Sequence, residues 1–147
     1  MFFGQSFWKG LGTQNVFLPI YLKKMAEFFS GMGPTRYTVI RHSNIYGPYD
    51  KFDLESSHVF GATINKVMNC KDGQITLWGD GSEERDLLYV TDLVDFVKLA
   101  IEKQSEPFYL VNIGCGSSIS IIDLTTKIIE IAEKKIRLAY DKSKPSI

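Results

Sequence analysis

From Tyr21 to Phe29 the run YLKKMAEFF carries apolar residues at helical spacing, and Gly31-Met32-Gly33-Pro34 closes it. Glycine ends a helix and proline cannot continue one. Arg36 to Arg41 (RYTVIR) is rich in β-branched and aromatic residues and predicts a short buried strand. A helix feeding such a strand is one step of an α/β fold. After Pro48 the polar stretch YDKFDLESS predicts a loop. Helical spacing returns from His58 to Met68, with Val59, Phe60, Ile64, Val67 and Met68 apolar. Gln74 to Trp78 (QITLW) alternates as a strand does, Gly79-Asp80-Gly81 predicts a turn, and Asp86 to Val90 predicts another strand. Thr91 is suited to cap a helix running from Asp92 to about Glu102. Phe108 to Ile113 predicts a strand ended by Gly114-Cys115-Gly116. Ser120 and Asp123 form a box-like start to a helix carrying Ile121, Leu124, Ile128 and Ile131, and Ile136 to Tyr140 predicts a last strand. Residues 1–19 show no clean period.

Composition narrows the function class. With 147 residues the chain can build a real core. Its 17 basic and 17 acidic side chains cancel, which argues against non-specific binding to nucleic acid or anionic membrane, since both need a basic field. No apolar run approaches the ~20 residues of a membrane span. The start, Met1 to Lys9, lacks a charged region before an apolar core and does not read as a signal peptide. Cys70 and Cys115 have no metal-ligand spacing. They are expected to be reduced thiols in a cytoplasmic protein, with a single disulfide as the alternative.

The candidate chemistry lies between Arg41 and Asp86. Asn44 follows the strand directly, where ligands of open α/β sheets bind. Its amide can donate to a phosphate or ribose oxygen, or it can merely cap a turn. His58 opens a helix, where an imidazole can give or take a proton or stand as a polar end residue. Lys66 lies eight residues on, about 12 Å up the same helix. Its ammonium can join His58 on one wall and meet a phosphate, or it can be solvated. Trp78 and Arg85 bracket the Gly79–Gly81 turn. An aromatic face with a guanidinium fork suits a nucleotide diphosphate. Alternatively, Trp78 is a core aromatic and Arg85 pairs with Asp86 or Glu84. Gly114-Cys115-Gly116 lacks the third glycine of a dinucleotide fingerprint and reads as a turn.

Taken in order, SNIYGP, SSHVFGATINK and LWGDGSEERDLLYVTDL resemble the extended short-chain dehydrogenase/reductase family of NAD-dependent nucleotide-sugar epimerases, dehydratases and reductases. Within that family they look most like the GDP-L-fucose synthase group, over about Tyr21 to Lys144. The resemblance implies a fold class: the C-terminal part of a Rossmann-like parallel sheet plus a small α/β substrate-binding domain. It divides the chain into 1–47, from the NAD(P)-binding domain, and 48–147, the nucleotide-sugar-binding domain. It implies NAD or NADP as cofactor, with His42, Ser43, Asn44 and Ile45 near the nicotinamide end. It implies a nucleotide-sugar substrate, of GDP-sugar type, held by Asn44, Lys66, Trp78 and Arg85. His58 matches the family's proton-transfer residue in epimerisation.

Parts of the family pattern are missing from these 147 residues. There is no Gly-rich strand-to-helix turn to cradle a pyrophosphate. Family spacing places the catalytic tyrosine and lysine at Asn15 and Pro19, which cannot serve, and Tyr21 with Lys24 is out of register. The chain stops at Ile147, where relatives continue. The expectation is a C-terminal fragment of an oxidoreductase or isomerase that does not turn over alone. A non-catalytic nucleotide-sugar binder and an interaction module completing another chain are the alternatives. Without neighbours the RYTVIR strand would expose apolar side chains and an unpaired edge, so homo-oligomers or association through that edge are expected.

Overall fold

The computed structural model describes residues 17–54 and 56–144; Asn15 falls outside them. The elements in order are α1 (Phe17–Ser30), β1 (Tyr37–His42), β2 (Asn44–Tyr46), α2 (Val59–Asn69), β3 (Gln74–Trp78), β4 (Glu84–Tyr89), α3 (Val90–Lys103), β5 (Phe108–Ile113), β6 (Ser118–Ser120), α4 (Ile121–Ile131) and β7 (Arg137–Asp141). This is the α/β class expected. The described residues form two compact units, one within 17–42 and 91–113, the other within 43–90 and 114–144. The expected division at residues 47 and 48 is continuous in sequence. By contacts, the described chain crosses between units three times, because β1 pairs with the distant β5.

In the first unit β1 and β5 run parallel, from Tyr37 opposite Phe108 to His42 opposite Ile113. Gln104 fixes the start of this pair: its Nε2 donates to the Tyr37 carbonyl at 3.1 Å, and its own carbonyl accepts from Arg36 Nη1 at 2.7 Å. The expected burial of β1 is not reached; its residues are half-buried and Arg41 is exposed. The reason is that, among the described residues, β5 is its one neighbouring strand. Helix α1 starts ahead of the predicted Tyr21. It admits Pro19 because the first-turn N–H groups have no intrahelical acceptor. Lys24 places its ammonium 3.0 Å from Glu27 Oε2.

The second unit holds two small sheets. In one, β4 lies between β2, parallel, and β6, antiparallel. In the other, β3 and β7 pair in parallel. Ile75 and Leu77 point from β3 into a core with Val67 of α2, packed by Ile121, Ile122 and Ile128 of α4. Ser120 caps α4 as expected, its Oγ accepting from the Asp123 N–H at 3.0 Å. Two more first-turn amides of α4 are satisfied by the Gly79–Gly81 turn region: Ile122 donates to the Gly81 carbonyl at 3.0 Å, and Ile121 to Glu83 at 2.9 Å. Gly81 sits at φ +74°, and a Cβ there would meet Ile122 Cγ1 at 2.8 Å.

Two expectations shift. The strand predicted from Asp86 occupies Glu84–Tyr89, and α3 begins at Val90, so Thr91 lies inside the helix rather than capping it. Both cysteines are free thiols, so the alternative disulfide is not formed. Among the described residues no helix is long and apolar enough to cross a membrane.

Candidate functional site

The register of β2 on β4 puts Asn44 opposite Leu87 and Tyr46 opposite Tyr89. Side chains two apart on a strand share a face, as do parallel partners. Asn44, Tyr46, Arg85, Leu87 and Tyr89 therefore face one way, and Ile45, Asp86 and Leu88 the other. The Asn44 amide is held by donating to the Asp86 carbonyl at 3.2 Å. Arg85 Nη1 donates to the Glu84 carbonyl at 2.8 Å. An amide donor and a guanidinium on neighbouring strands of one face form a pair able to grip phosphate oxygens.

His58 reaches the same neighbourhood through packing. The Tyr46 ring contacts Phe60 at 4.5 Å and Tyr89 at 5.3 Å between centroids. That docks the first turn of α2 against the Asn44 face. His58 is the N-cap of α2; its carbonyl accepts from Ala62 at 2.9 Å, while its imidazole makes no capping bond. The loop before it lies across α2 at Gly61, where a Cβ would come within 2.3 Å of the Lys51 carbonyl oxygen. Asn65 Nδ2 ties that loop down at the Phe52 carbonyl, 2.5 Å away. Beside His58 the Ser57 hydroxyl is buried without a hydrogen-bond partner.

The other candidates sit further along α2 and on other elements. Lys66 is in the last turn of α2, where a cation also complements the helix dipole. Trp78 ends β3 on the face opposite Ile75 and Leu77. It is 50% exposed, so it is not the core aromatic of the alternative reading. The Lys144 ammonium lies 6.0 Å from its ring centre. His42 closes β1 opposite Ile113, in the first unit. An open groove of about 630 Å³ runs past Leu87 and Ile119 of the sheet to Cys115, Ser117, Asp123 and Lys127.

Asp86 organises more than the sequence reading gave it. There it figured as a possible partner for Arg85. Its carboxylate accepts from the Cys115 N–H at 2.8 Å and the Gly116 N–H at 2.9 Å. Those amides, Cys115 first, hold its carboxyl below the usual carboxylate range, against the opposing effect of burial. The signal available in sequence was the Arg85-Asp86 pair followed downstream by a Gly-x-Gly turn.

The profile of the NAD dependent epimerase/dehydratase family matches residues 20–114. The chain belongs to that family. A GDP-L-fucose synthase of Sinorhizobium fredii is 41% identical over 123 residues, 82% of this chain and 36% of its own length. A GDP-L-colitose synthase of Yersinia pseudotuberculosis is 35% identical over 105 residues, 69% of this chain and 34% of its own length. Among solved structures, a UDP-glucose 4-epimerase from Thermotoga maritima with UDP-glucose aligns at a TM-score of 0.69 and 27% identity, over 88% of this chain and 39% of its own. The chain thus spans about a third of the curated relatives it matches.

An epimerase/dehydratase of this family works with a nicotinamide cofactor, whose diphosphate needs a cradle of free backbone amides. The one glycine turn leading toward a helix through β6 is Gly114–Gly116, and its amides already donate to Asp86. A backbone nest filled by the chain's own carboxylate is closed to a phosphate. His42, Ser43, Asn44 and Ile45 do not by themselves make a cradle. The described residues therefore do not fit the cofactor's diphosphate.

Proposed function

We propose that this chain is the nucleotide-sugar-holding part of an NAD(P)-dependent epimerase or reductase of the GDP-L-fucose synthase type. The observation that carries this reading is the shared face of Asn44 and Arg85 on adjacent strands, with His58 docked beside it through Phe60. Asn44 and Arg85 take the diphosphate of a GDP-sugar, Lys66 a phosphate oxygen, and Trp78 the nucleotide. His58 moves a proton at a sugar carbon, with the buried Ser57 hydroxyl next to it. His42, Ser43, Asn44 and Ile45 form the rim toward the nicotinamide of the complete enzyme. Support for the GDP class comes from the relatives' own names.

By itself the chain does not turn over, because the catalytic tyrosine and lysine positions hold Asn15 and Pro19. It acts in the cytoplasm, as a homo-oligomer or with another polypeptide against β1. Calorimetry tests the binding reading: GDP and GDP-sugars bind in the micromolar range, and Arg85→Ala weakens them. Equal heats from wild type and Arg85→Ala would sink it. Nicotinamide absorbance during incubation with a GDP-sugar stays constant; a change there would overturn the claim of inactivity.

A second reading, an interaction module, is favoured by one observation. The first unit exposes Ile20, Tyr21, Met25 and Phe28 on α1, and β1 keeps an edge with no described strand. Co-purification with a polypeptide bearing a Gly-rich nucleotide-binding fold would favour this module over a free-standing binder.

A further inference from the structure

We propose that Lys134 is a positioning residue that neutralises the C-terminal end of α2 and so leaves Lys66 free to hold a phosphate there. This rests on the reading of Lys66 as a phosphate contact. Lys66 lies in the last turn of α2. That is the negative end of a helix, where unsatisfied carbonyls carry about half an elementary charge and repel an anion. A lysine in that turn commonly serves those carbonyls itself. Here Lys134 serves them instead. Its ammonium donates to the Val67 carbonyl at 3.1 Å and also to the Met68 carbonyl. Among the described residues no hydrogen bond or ion pair engages the Lys66 ammonium.

The end of α4 is shaped to deliver this lysine. Ile129 and Ala132 pack against the same core as Val67, which brings the two helix ends together. The Glu133 N–H donates to the Glu130 carbonyl at 3.0 Å, and the Lys134 N–H to the Ile129 carbonyl at 3.3 Å. That pair of bonds is a Schellman cap, whose left-handed residue is usually glycine. In this chain it is the exposed Glu133, at φ +53°. A side chain at that φ is strained, and the turn it makes sends the half-buried Lys134 back to α2. Both contacts with α2 belong to the Lys134 side chain, so truncation removes them. With its ammonium on backbone carbonyls, Lys134 acts on the ligand through the helix end and Lys66, and does not touch it.

Calorimetry of the 147-residue chain with GDP and with guanosine tests this. Lys134→Met is expected to weaken GDP about threefold, to leave guanosine unchanged, and to cost nothing further when Lys66 is already Ala. Lys134→Arg keeps the charge and the donors, and is expected to restore GDP binding. A lysine with a merely structural role would lower both ligands alike. Equal losses for GDP and guanosine, or a Lys134→Met loss that simply adds to that of Lys66→Ala, would overturn the proposal. If Lys134→Met does not fold, NMR of the lysine ammonium groups in the wild-type chain decides. GDP is expected to shift the Lys66 signal and leave that of Lys134 in place; a Lys134 shift as large as that of Lys66 overturns the proposal. GDP binding that Lys66→Ala leaves unchanged, or no GDP binding at all, is a failure of the phosphate reading, and the proposal falls with it. Unchanged GDP affinity in Lys134→Met beside a loss in Lys66→Ala is a failure of the proposal alone.

Discussion

Tyr46 and Phe60 stack with centroids 4.5 Å apart and planes tilted by 48°. That contact is the fastening between the Asn44 strand and the helix that His58 opens. Aromatic pairs of this kind contribute about 0.5–1.5 kcal/mol beyond the area they bury. Phe60 is half-buried, so Phe60→Ala is expected near the low end of aromatic truncations, about 3 kcal/mol. Urea melts check the figure. A loss under about 1 kcal/mol would mean that the helix is held elsewhere.

Strand β3 was legible to the residue because its burial alternates strictly, Ile75 and Leu77 in, Gln74, Thr76 and Trp78 out. β5 was legible to the residue as well, as an apolar and aromatic run broken only by Asn112 and bounded by Pro107 and Gly114. Strands β2 and β6 were not legible. Three residues cannot display a period, and Asn44 and Ser118 read as turn formers until a partner strand is known. Asn44 and Arg85 could be named from residue type and resemblance, but their common face depends on the β2–β4 register, which is long-range. The Asp86 clasp was hidden for the same reason, since its partners lie 29 and 30 residues away.

Acid should loosen the second unit through Asp86. Its folded pKa lies below the unfolded value of about 3.9. A depressed carboxylate contributes stability that is present above the unfolded value and lost as pH falls through the folded one. The window therefore lies below about pH 4. Asp80 and Asp141 shift the same way through their Ser82 and Ser143 partners, so wild type alone cannot isolate Asp86. Melts of wild type and Asp86→Asn across that window do so. The stability difference between them should shrink as the pH drops, and a pH-independent difference would contradict this.

Gly61→Ala should lift the loop that precedes His58. The added methyl meets a backbone oxygen, Lys51 O, at 2.3 Å rather than a movable side chain. Overpacking of this kind costs about 1–3 kcal/mol. The loop's tether at Asn65 and Phe52 would strain with it. Limited proteolysis should cut the variant faster between Tyr49 and Ser56, while the Ala substitution at exposed Gly33, where a Cβ meets nothing within 4 Å, should leave cleavage unchanged.

The first unit should associate through α1. Phe28 is 65% exposed, Tyr21 63% and Met25 52%, on one short helix. Covering such side chains is worth about 25 cal/mol per Å², and a paired partner would also cover the open edge of β1. Sedimentation should find oligomers of the wild-type chain, and Phe28→Glu with Met25→Glu should shift them toward monomer. A wild-type chain that sediments as a single monomer at every concentration would refute this.

Trp78 offers an optical report on the nucleotide reading. It is half-exposed at the end of β3, with one ring face near the Lys144 ammonium at 6.0 Å. Stacking a base on an aromatic side chain is worth about 1–3 kcal/mol, so Trp78→Ala should weaken GDP roughly tenfold or more. The same stacking should quench Trp78 fluorescence on GDP addition. The chain has a second tryptophan, Trp8, so the variant Trp78→Phe assigns the signal. If the quench disappears in Trp78→Phe and needs more GDP in Arg85→Ala, one ligand engages both the ring and the guanidinium. If the quench persists in Trp78→Phe, it arises at Trp8, and Trp78 is an exposed strand-end aromatic rather than a nucleotide contact.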